Sequence, residues 1–398
     1  MISTNIHVMP VQLSQTREQA RDEYKAFLGT FLRDSPVVAR RGEPLVADLL
    51  FGDPHDPSLP GIAKELHAQV DVSQREGYRY VHHMPEAREA AARALSERTA
   101  LDISSDDLFL NTGAFSGLTT CLQALCDPGT EVLYLSPPWF YYRSMIKSVG
   151  ATPRGIDLKP NDWTIPLEEI AAAIGPRTSA ILINSPHNPS GRVFSDEELA
   201  ELAEVLTEAS RRLGRDIPII SDEAYSRIVY ECPHAPSPAR HYAATVIVYT
   251  YGKTLLAPSL RVGYMALAPG FPDASRMRRM FDAVQPIAGW LLPTCLVQRA
   301  LPELEMLCVD LKQLERRRDK LVTALREGGY KVSPAQGTFY MLVNSPELDD
   351  VAFSNYLESR DVLVLPGSTL ETPGTFRVSL TASDTMIEQA CEVFRSGA

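Results

Sequence analysis

The sequence predicts an α/β fold: a mostly parallel central sheet with helices on both faces, plus a smaller α+β domain. Three observations predict it. From about residue 105 to 265 short apolar runs alternate with helical patterns, the signature of strands buried on both faces. Polar residues stand at the C-terminal end of five of those runs, where ligands bind in open α/β sheets. After about residue 330 strand-like pieces and a helix follow in an order that suits a separate α+β unit. A chain of 398 residues buries roughly three quarters of its extended surface, and two domains are the expected division.

Taken in order, the expected strands are Leu108-Phe109-Leu110, Val132 to Leu135, Ala180 to Ile183, Pro218-Ile219-Ile220 and Val246 to Tyr249, separated by helices such as Phe115 to Leu125 and Asp196 to Leu213. The stretch Leu296 to Glu327 carries apolar residues at helical spacing with a charged opposite face, which reads as one long or broken helix leaving the core. Gly337 to Val343, Val362 to Leu365 and Thr375 to Leu380 then read as strands of the smaller domain. The expected division is a large domain over 61–290 and a small one formed by 1–60 with 291–398. The seam between them is the expected ligand site.

Composition narrows the function. Hydrophobic residues make up 44% and charged residues 22%, an ordinary globular balance. With 39 Lys and Arg against 50 Asp and Glu the formal charge is -11, and the longest basic run is Arg316-Arg317-Arg318. No nucleic-acid partner is expected, since phosphate neutralisation needs a basic surface. No window approaches eighteen uncharged apolar residues and the first residues lack a charged lead followed by an apolar run, so a cytoplasmic protein without membrane contact is expected. Six cysteines without a CxxC pair and eight histidines without HExxH spacing give no metal site, and the thiols read as buried and reduced.

The strand ends hold the chemistry. After Leu110 comes Asn111-Thr112-Gly113-Ala114-Phe115, a small-residue turn that opens a helix and either holds an anion on free backbone N–H groups or serves as a tight cap. After Leu135 comes Ser136-Pro137-Pro138-Trp139-Phe140-Tyr141-Tyr142, a cluster that either stacks on a flat ring or packs a core. Asn184 to Arg192 is a polar, rigid stretch, and Asp222 in Ser221-Asp222-Glu223-Ala224-Tyr225 is a carboxylate that needs a cationic partner if it is buried. Lys253 stands among apolar neighbours, as a snorkelling surface residue or as an amine able to act as nucleophile and base.

In this order, and from Gly52 to Arg377, these residues resemble the fold-type I pyridoxal-phosphate enzymes, in particular the aspartate and kynurenine group of class I and II aminotransferases. The resemblance implies pyridoxal 5'-phosphate as cofactor and Lys253 as the Schiff-base lysine. It implies Asp222 as partner of the pyridine nitrogen, with Tyr225 and Asn188 on the ring 3′-oxygen. Arg261, Thr250 and the helix start at Gly113, Ala114 and Phe115 correspond to the phosphate cradle, and Trp139 to the residue stacked on the ring, with Phe140 as fallback. Arg377 matches the arginine that grips the substrate carboxylate, and Gly52 the glycine that lines the same pocket beside Asn188. Tyr78 to Arg88, with its Pro85-Glu86-Ala87-Arg88 register, resembles the segment by which a partner subunit donates a tyrosine to the phosphate, here Tyr78, which implies a homodimer with shared sites.

The pattern departs from the family in places. The usual SxSK reads Thr250-Tyr251-Gly252-Lys253, keeping one hydroxyl and losing the other. His83 stands before Met84-Pro85 where a small residue is usual, and with His82 it reads either as imidazoles near the site entrance or as exposed or capping groups. Phe115 and Ser116 occupy the turn where one subgroup carries lysine, and no residue that would select a dicarboxylate is evident, so an aromatic, aliphatic or specialised substrate is expected rather than aspartate. Transfer of an amino group from an α-amino acid to a 2-oxo acid is the function implied. The same residues support elimination, cyclisation or oxidation as the alternative, because the fate of the carbanion depends on what the site excludes. A regulatory relative would carry a basic DNA-binding module, for which the first fifty residues are too few and not basic enough.

Overall fold

The computed structural model describes residues 12–70, 80–159 and 162–397. Its strands are β1 Ala47–Asp48, β2 Leu108–Asn111, β3 Glu131–Ser136, β4 Thr152–Asp157, β5 Thr178–Asn184, β6 Ile219–Asp222, β7 Thr245–Thr250, β8 Gly263–Leu267, β9 Tyr340–Asn344, β10 Val362–Leu363, β11 Leu365–Pro366 and β12 Thr375–Ser379. The central sheet has seven strands in the order β2-β8-β7-β6-β5-β3-β4. Every pairing from β7 to β4 is parallel; β8 runs antiparallel to both β7 and β2. Residues alternate between its faces. Val246 and Val248 pack with Phe109, Leu118 and Phe281 on one side, while Ile247 and Tyr249 pack with Ala91, Leu95 and Leu301 on the other. Burial on both faces is why these strands read as apolar runs rather than as alternating ones.

The five strands read from the sequence are all in this sheet, and two further members were hidden. β4 contains Pro153 and Gly155, residues a central strand disfavours, and it sits at the sheet edge where they are tolerated. β8 follows directly on the polar loop that ends at Arg261, and its antiparallel course breaks the strand-helix alternation. Asp196–Leu213 matches its expected bounds. Ser195 and Glu198 form a reciprocal capping box at its start, and Gly214 at φ +68° ends it.

The segment expected as one long or broken helix is broken, into Cys295–Leu304 and Leu311–Glu327. Between them the Glu305 carboxylate accepts hydrogen bonds from Arg98 at 3.0 Å, Arg227 at 3.1 Å and the Tyr251 hydroxyl, while Asp310 caps the second helix through the Gln313 N–H. A buried charge network and a fresh N-cap interrupt the periodicity there. Val297, Ala300, Leu301 and Leu304 pack with Ile62 and Ala87, whereas Leu314, Leu321 and Leu325 pack with Phe339, Phe376 and Phe394. The chain therefore passes from one apolar cluster to the other at this break.

The smaller sheet is β11-β12-β9, antiparallel throughout. The expected strand Val362 to Leu365 is two short strands, because Val362–Leu363 pairs in parallel with β1 and Leu365–Pro366 then turns into the β12 sheet. Residues near the N-terminus join here too: Leu28, Phe31, Val37, Val46 and Leu50 form one cluster with Leu363, Leu365 and Leu370. Among the described residues no helix is long and apolar enough to cross a membrane, and no group of His, Cys, Asp and Glu could hold a metal ion.

His83 accepts a hydrogen bond from the Leu110 N–H at 3.1 Å and sets its ring edge-on to Phe109. It works as a neutral acceptor, and burial holds its pKa down at about 4 against an ordinary value of 6.5. A histidine whose folded pKa is depressed stabilises the fold above its unfolded pKa and loses that contribution as pH falls through the folded value. The melting temperature is expected to fall as pH is lowered from 6.5 towards 4, and His83→Asn to flatten that slope; an unchanged slope in thermal melts of the variant contradicts the assignment.

Candidate functional site

The carboxyl ends of β2, β3, β5, β6 and β7 open on one side of the central sheet, and a cavity of about 160 Å³ lies against them. Ala114, Phe115, Trp139, Asn188, Asp222, Tyr225, Thr250, Lys253 and Arg261 all line it, together with Asn184, Ala224, Gly252 and Pro258. The structure thus gathers nine of the residues singled out from the sequence around one cavity. Gly113 adjoins it at the helix start, and Arg377 and Gly52 stand behind Asn188 and Tyr340. Tyr78 lies outside the described residues.

One end of the cavity is acidic. Asp222 ends β6 and is 5% exposed, so it is not a solvated loop acid. Its Oδ2 accepts a hydrogen bond of 2.6 Å from the Tyr142 hydroxyl, its Oδ1 accepts one of 3.2 Å from the Ala224 N–H, and its backbone carbonyl accepts one from Asn184. No ion pair to Asp222 forms among the described residues. Burial pushes its carboxyl pKa up, opposed by the Tyr142 and Ala224 hydrogen bonds and the charge of Lys253. A cation set against Asp222 stabilises its ionised form.

The opposite end is built for an anion. Gly113, at φ +92°, starts the helix Ala114–Leu125, and its N–H is held by the Asn111 side chain at 3.0 Å. A Cβ at Gly113 would lie 3.3 Å from Nη2 of Arg261 and 3.4 Å from Oγ1 of Thr250. The glycine therefore lets a guanidinium, a hydroxyl and a helix N-terminus converge, an arrangement matched to a phosphate. Arg261 itself is left-handed at φ +49° and donates to the Pro258 carbonyl at 3.0 Å, which fixes its backbone turn.

Between these ends Lys253 follows β7 on a short helix that Thr250 caps. Its Nζ lies 5.6 Å from the ring centroids of both Tyr225 and Phe339 and has no hydrogen-bond partner among the described residues. Across the cavity Trp139 packs edge-on against Phe115, Tyr141 and Tyr142. Burial pushes the Tyr225 phenol pKa well up, and the neighbouring Tyr340 adds to this while Arg377 opposes it.

Arg377, on β12, is 1% exposed. One terminal nitrogen donates to Asn188 Oδ1 at 3.0 Å and the other to the Leu50 carbonyl at 3.2 Å; its Nε has no partner among the described residues. The guanidinium lies 3.8 Å from the Tyr340 ring centroid, and burial pulls its pKa down. A Cβ at Gly52 would collide with the Tyr340 hydroxyl and the Phe339 ring, so only glycine lets β1's following turn close on this pocket. His83 and His82 do not join the site. They line a separate cavity with Tyr80, Gln285 and Trp290.

Residues 46–394 match the family model for aminotransferase class I and II. The chain belongs to the class I and II aminotransferases. Among relatives of this aminotransferase, the aspartate/prephenate aminotransferase of Thermus thermophilus is 30% identical over 365 residues, covering 90% of this chain and 92% of that one. A probable aspartate/prephenate aminotransferase of Thermus aquaticus is 28% identical over 364 residues, with the same coverage. Among solved structures, an aminotransferase from Eubacterium rectale has a TM-score of 0.84 at 26% identity, covering 97% of this chain and 95% of that one. The aspartate aminotransferase of Thermotoga maritima gives 0.78 at 26% identity, covering 99% of both. The fold-type I architecture and the aminotransferase activity implied by the sequence resemblance are what these relatives share; elimination, cyclisation and oxidation are not favoured by them.

Sequence reasoning left several neighbours of the site without a role. Tyr142 was one more aromatic residue in a cluster, although it follows Trp139 by three positions and starts a helix. Asn184 was a strand-end residue, and its amide holds both the Asp222 carbonyl and the Asn188 N–H. Tyr340 read only as part of a strand. No local pattern announces that its ring will lie under Arg377, since β9 and β12 meet through the tertiary fold.

Proposed function

We propose that this aminotransferase uses pyridoxal 5'-phosphate held by the Asp222, Lys253 and Arg261 cavity to move an amino group from an α-amino acid to a 2-oxo acid. The observation that carries it is the cavity's polarity: a buried, unpaired carboxylate at one end, a cradle opened by Gly113 at the other, and a free amine between. A flat cationic ring bearing a phosphate has that charge pattern. When bound, the cofactor supplies an aldehyde that captures amines and a ring that absorbs the electrons left when the Cα proton departs.

The chain's own residues do the rest. Lys253 Nζ takes the proton from the donor Cα and returns it, the general base and acid of the reaction. Asp222 holds a proton on the ring nitrogen, and Tyr225 and Asn188 donate to the ring oxygen. Thr250, Arg261 and the N–H groups of Ala114 and Phe115 hold the phosphate, and Trp139 covers the ring. Arg377 clasps the donor carboxylate in the space that Gly52 leaves. The division into a large domain over 61–290 and a small one over 1–60 with 291–398 is part of this reading.

The homodimer belongs to the same proposal. Ile287, Trp290 and Leu291 are exposed, and Trp290 and Leu291 share a cavity with Phe115 and Arg261 beside the site. A second copy covering that apolar surface would bring its own residues to the phosphate end, Tyr78 among them. A cytoplasmic setting completes the reading.

The test is nitrogen balance: a ¹⁵N-labelled donor and an unlabelled 2-oxo acid should give a ¹⁵N-labelled amino acid product, and free labelled ammonium in its place contradicts the proposal. Tyr142→Phe probes the acidic end. Losing a hydrogen bond to a charged group costs about 1.5 kcal/mol, or roughly ten-fold in cofactor dissociation constant. Fluorescence titration of the apoprotein measures it, and an unchanged constant means that Tyr142 does not hold Asp222 for the cofactor.

A further inference from the structure

We propose that the donor site selects aromatic and large apolar amino acids and rejects dicarboxylic ones; this rests on the aminotransferase reading of the Lys253 site. From Phe115 and Trp139, which line the cavity, a continuous run of touching aromatic rings extends to Phe140 near Arg377. Phe140 lies 6.0 Å from the Arg377 guanidinium, and its centroid is 4.9 Å from that of Tyr141 and 5.9 Å from that of Trp139. Tyr141 in turn meets Phe115 edge-on at 4.9 Å and stacks on Tyr24 of the N-terminal helix at 5.8 Å and 11°. A donor with its carboxylate on Arg377 and its amine towards Lys253 lays its side chain against these rings. Edge-to-face contact and burial favour another ring or a branched aliphatic group there.

Among the described residues nothing on this wall greets a second carboxylate. Lys253 and Arg261 are the cations among the residues lining the cavity. Arg143, the next residue after Tyr142, stacks on Phe27 and is engaged by Glu23 at 2.8 Å and Glu371 at 3.6 Å. Two carboxylates surround that one guanidinium, so the neighbourhood is net negative. A dicarboxylic donor would bring a charge out of water with no partner and with like charges nearby. Discrimination built on an unpaired charge is larger than discrimination by shape.

Two measurements on the holoenzyme test this. The first is the single-turnover reaction with phenylalanine, tyrosine, leucine, aspartate or glutamate in the absence of an oxo acid. The second is calorimetric binding of 3-phenylpropanoate and succinate, which carry no amino group. Phenylalanine should exceed aspartate at least about ten-fold in the second-order rate constant of this half-reaction, and 3-phenylpropanoate should bind at least about ten-fold more tightly than succinate. Aspartate reacting as fast as phenylalanine, or succinate binding as tightly, overturns the selectivity and leaves the aminotransferase reading standing. Failure of all five donors to convert the cofactor, or conversion with release of ammonia, overturns that reading and this one with it.

Discussion

Lys253→Ala is expected to lower turnover by about 10⁴-fold or more, equivalent to about 5 kcal/mol of transition-state stabilisation. Among the described residues Lys253 is the one amine lining the cavity, and its Nζ is poised between Tyr225 and Phe339 rather than tied to a carboxylate. In the proposed reaction two functions depend on that nitrogen, covalent capture of the cofactor and proton transfer at the donor Cα, and alanine supplies neither. The rest of the cavity does not depend on the amine. Asp222 is oriented by Tyr142 and Ala224, and the phosphate end by Gly113, Thr250 and Arg261. The variant should therefore still bind the cofactor non-covalently while losing the absorbance of the lysine-linked form. Steady-state rates and an absorbance spectrum check both halves, and retained turnover contradicts the assignment of Lys253 as catalytic amine.

Arg377→Ala is expected to weaken donor binding by about 2 to 5 kcal/mol, the range for breaking one side of a desolvated charge pair. The guanidinium is held by Asn188, the Leu50 carbonyl and the Tyr340 ring, and its Nε is unpaired among the described residues. This geometry holds a planar fork in place before the substrate arrives, so little ordering remains to be done on binding. Arg377→Lys keeps the charge and loses the fork, and should recover only part of the affinity. Donor dissociation constants for the three proteins, together with thermal melts, separate binding from folding. Unchanged affinity in the alanine variant means that the carboxylate is held elsewhere.

Legibility from sequence followed the distance over which each signal acts. β2, β3, β5, β6 and β7 were readable because burial on both faces leaves unbroken apolar runs such as Ala180 to Ile183, and the reactive residues were readable because they end those runs. β4 was not, since Pro153 and Gly155 are tolerated only at an edge, and edge position is a property of the whole sheet. The place of the break, at Glu305, was equally hidden: its partners Arg98, Arg227 and Tyr251 come from three distant segments. The same holds in the site. Asp222 and Lys253 stand in recognisable local settings, but the Tyr142 hydroxyl on Asp222 and the Tyr340 ring under Arg377 arise only when separate elements pack together.

Borohydride reduction of the holoenzyme followed by peptide mass spectrometry tests the central claim most directly. The account predicts one phosphopyridoxyl group per chain, on the peptide carrying Lys253, and none after saturation with a donor that has converted the cofactor to its amine form. A label on another lysine, or no label on an enzyme that is active, contradicts it.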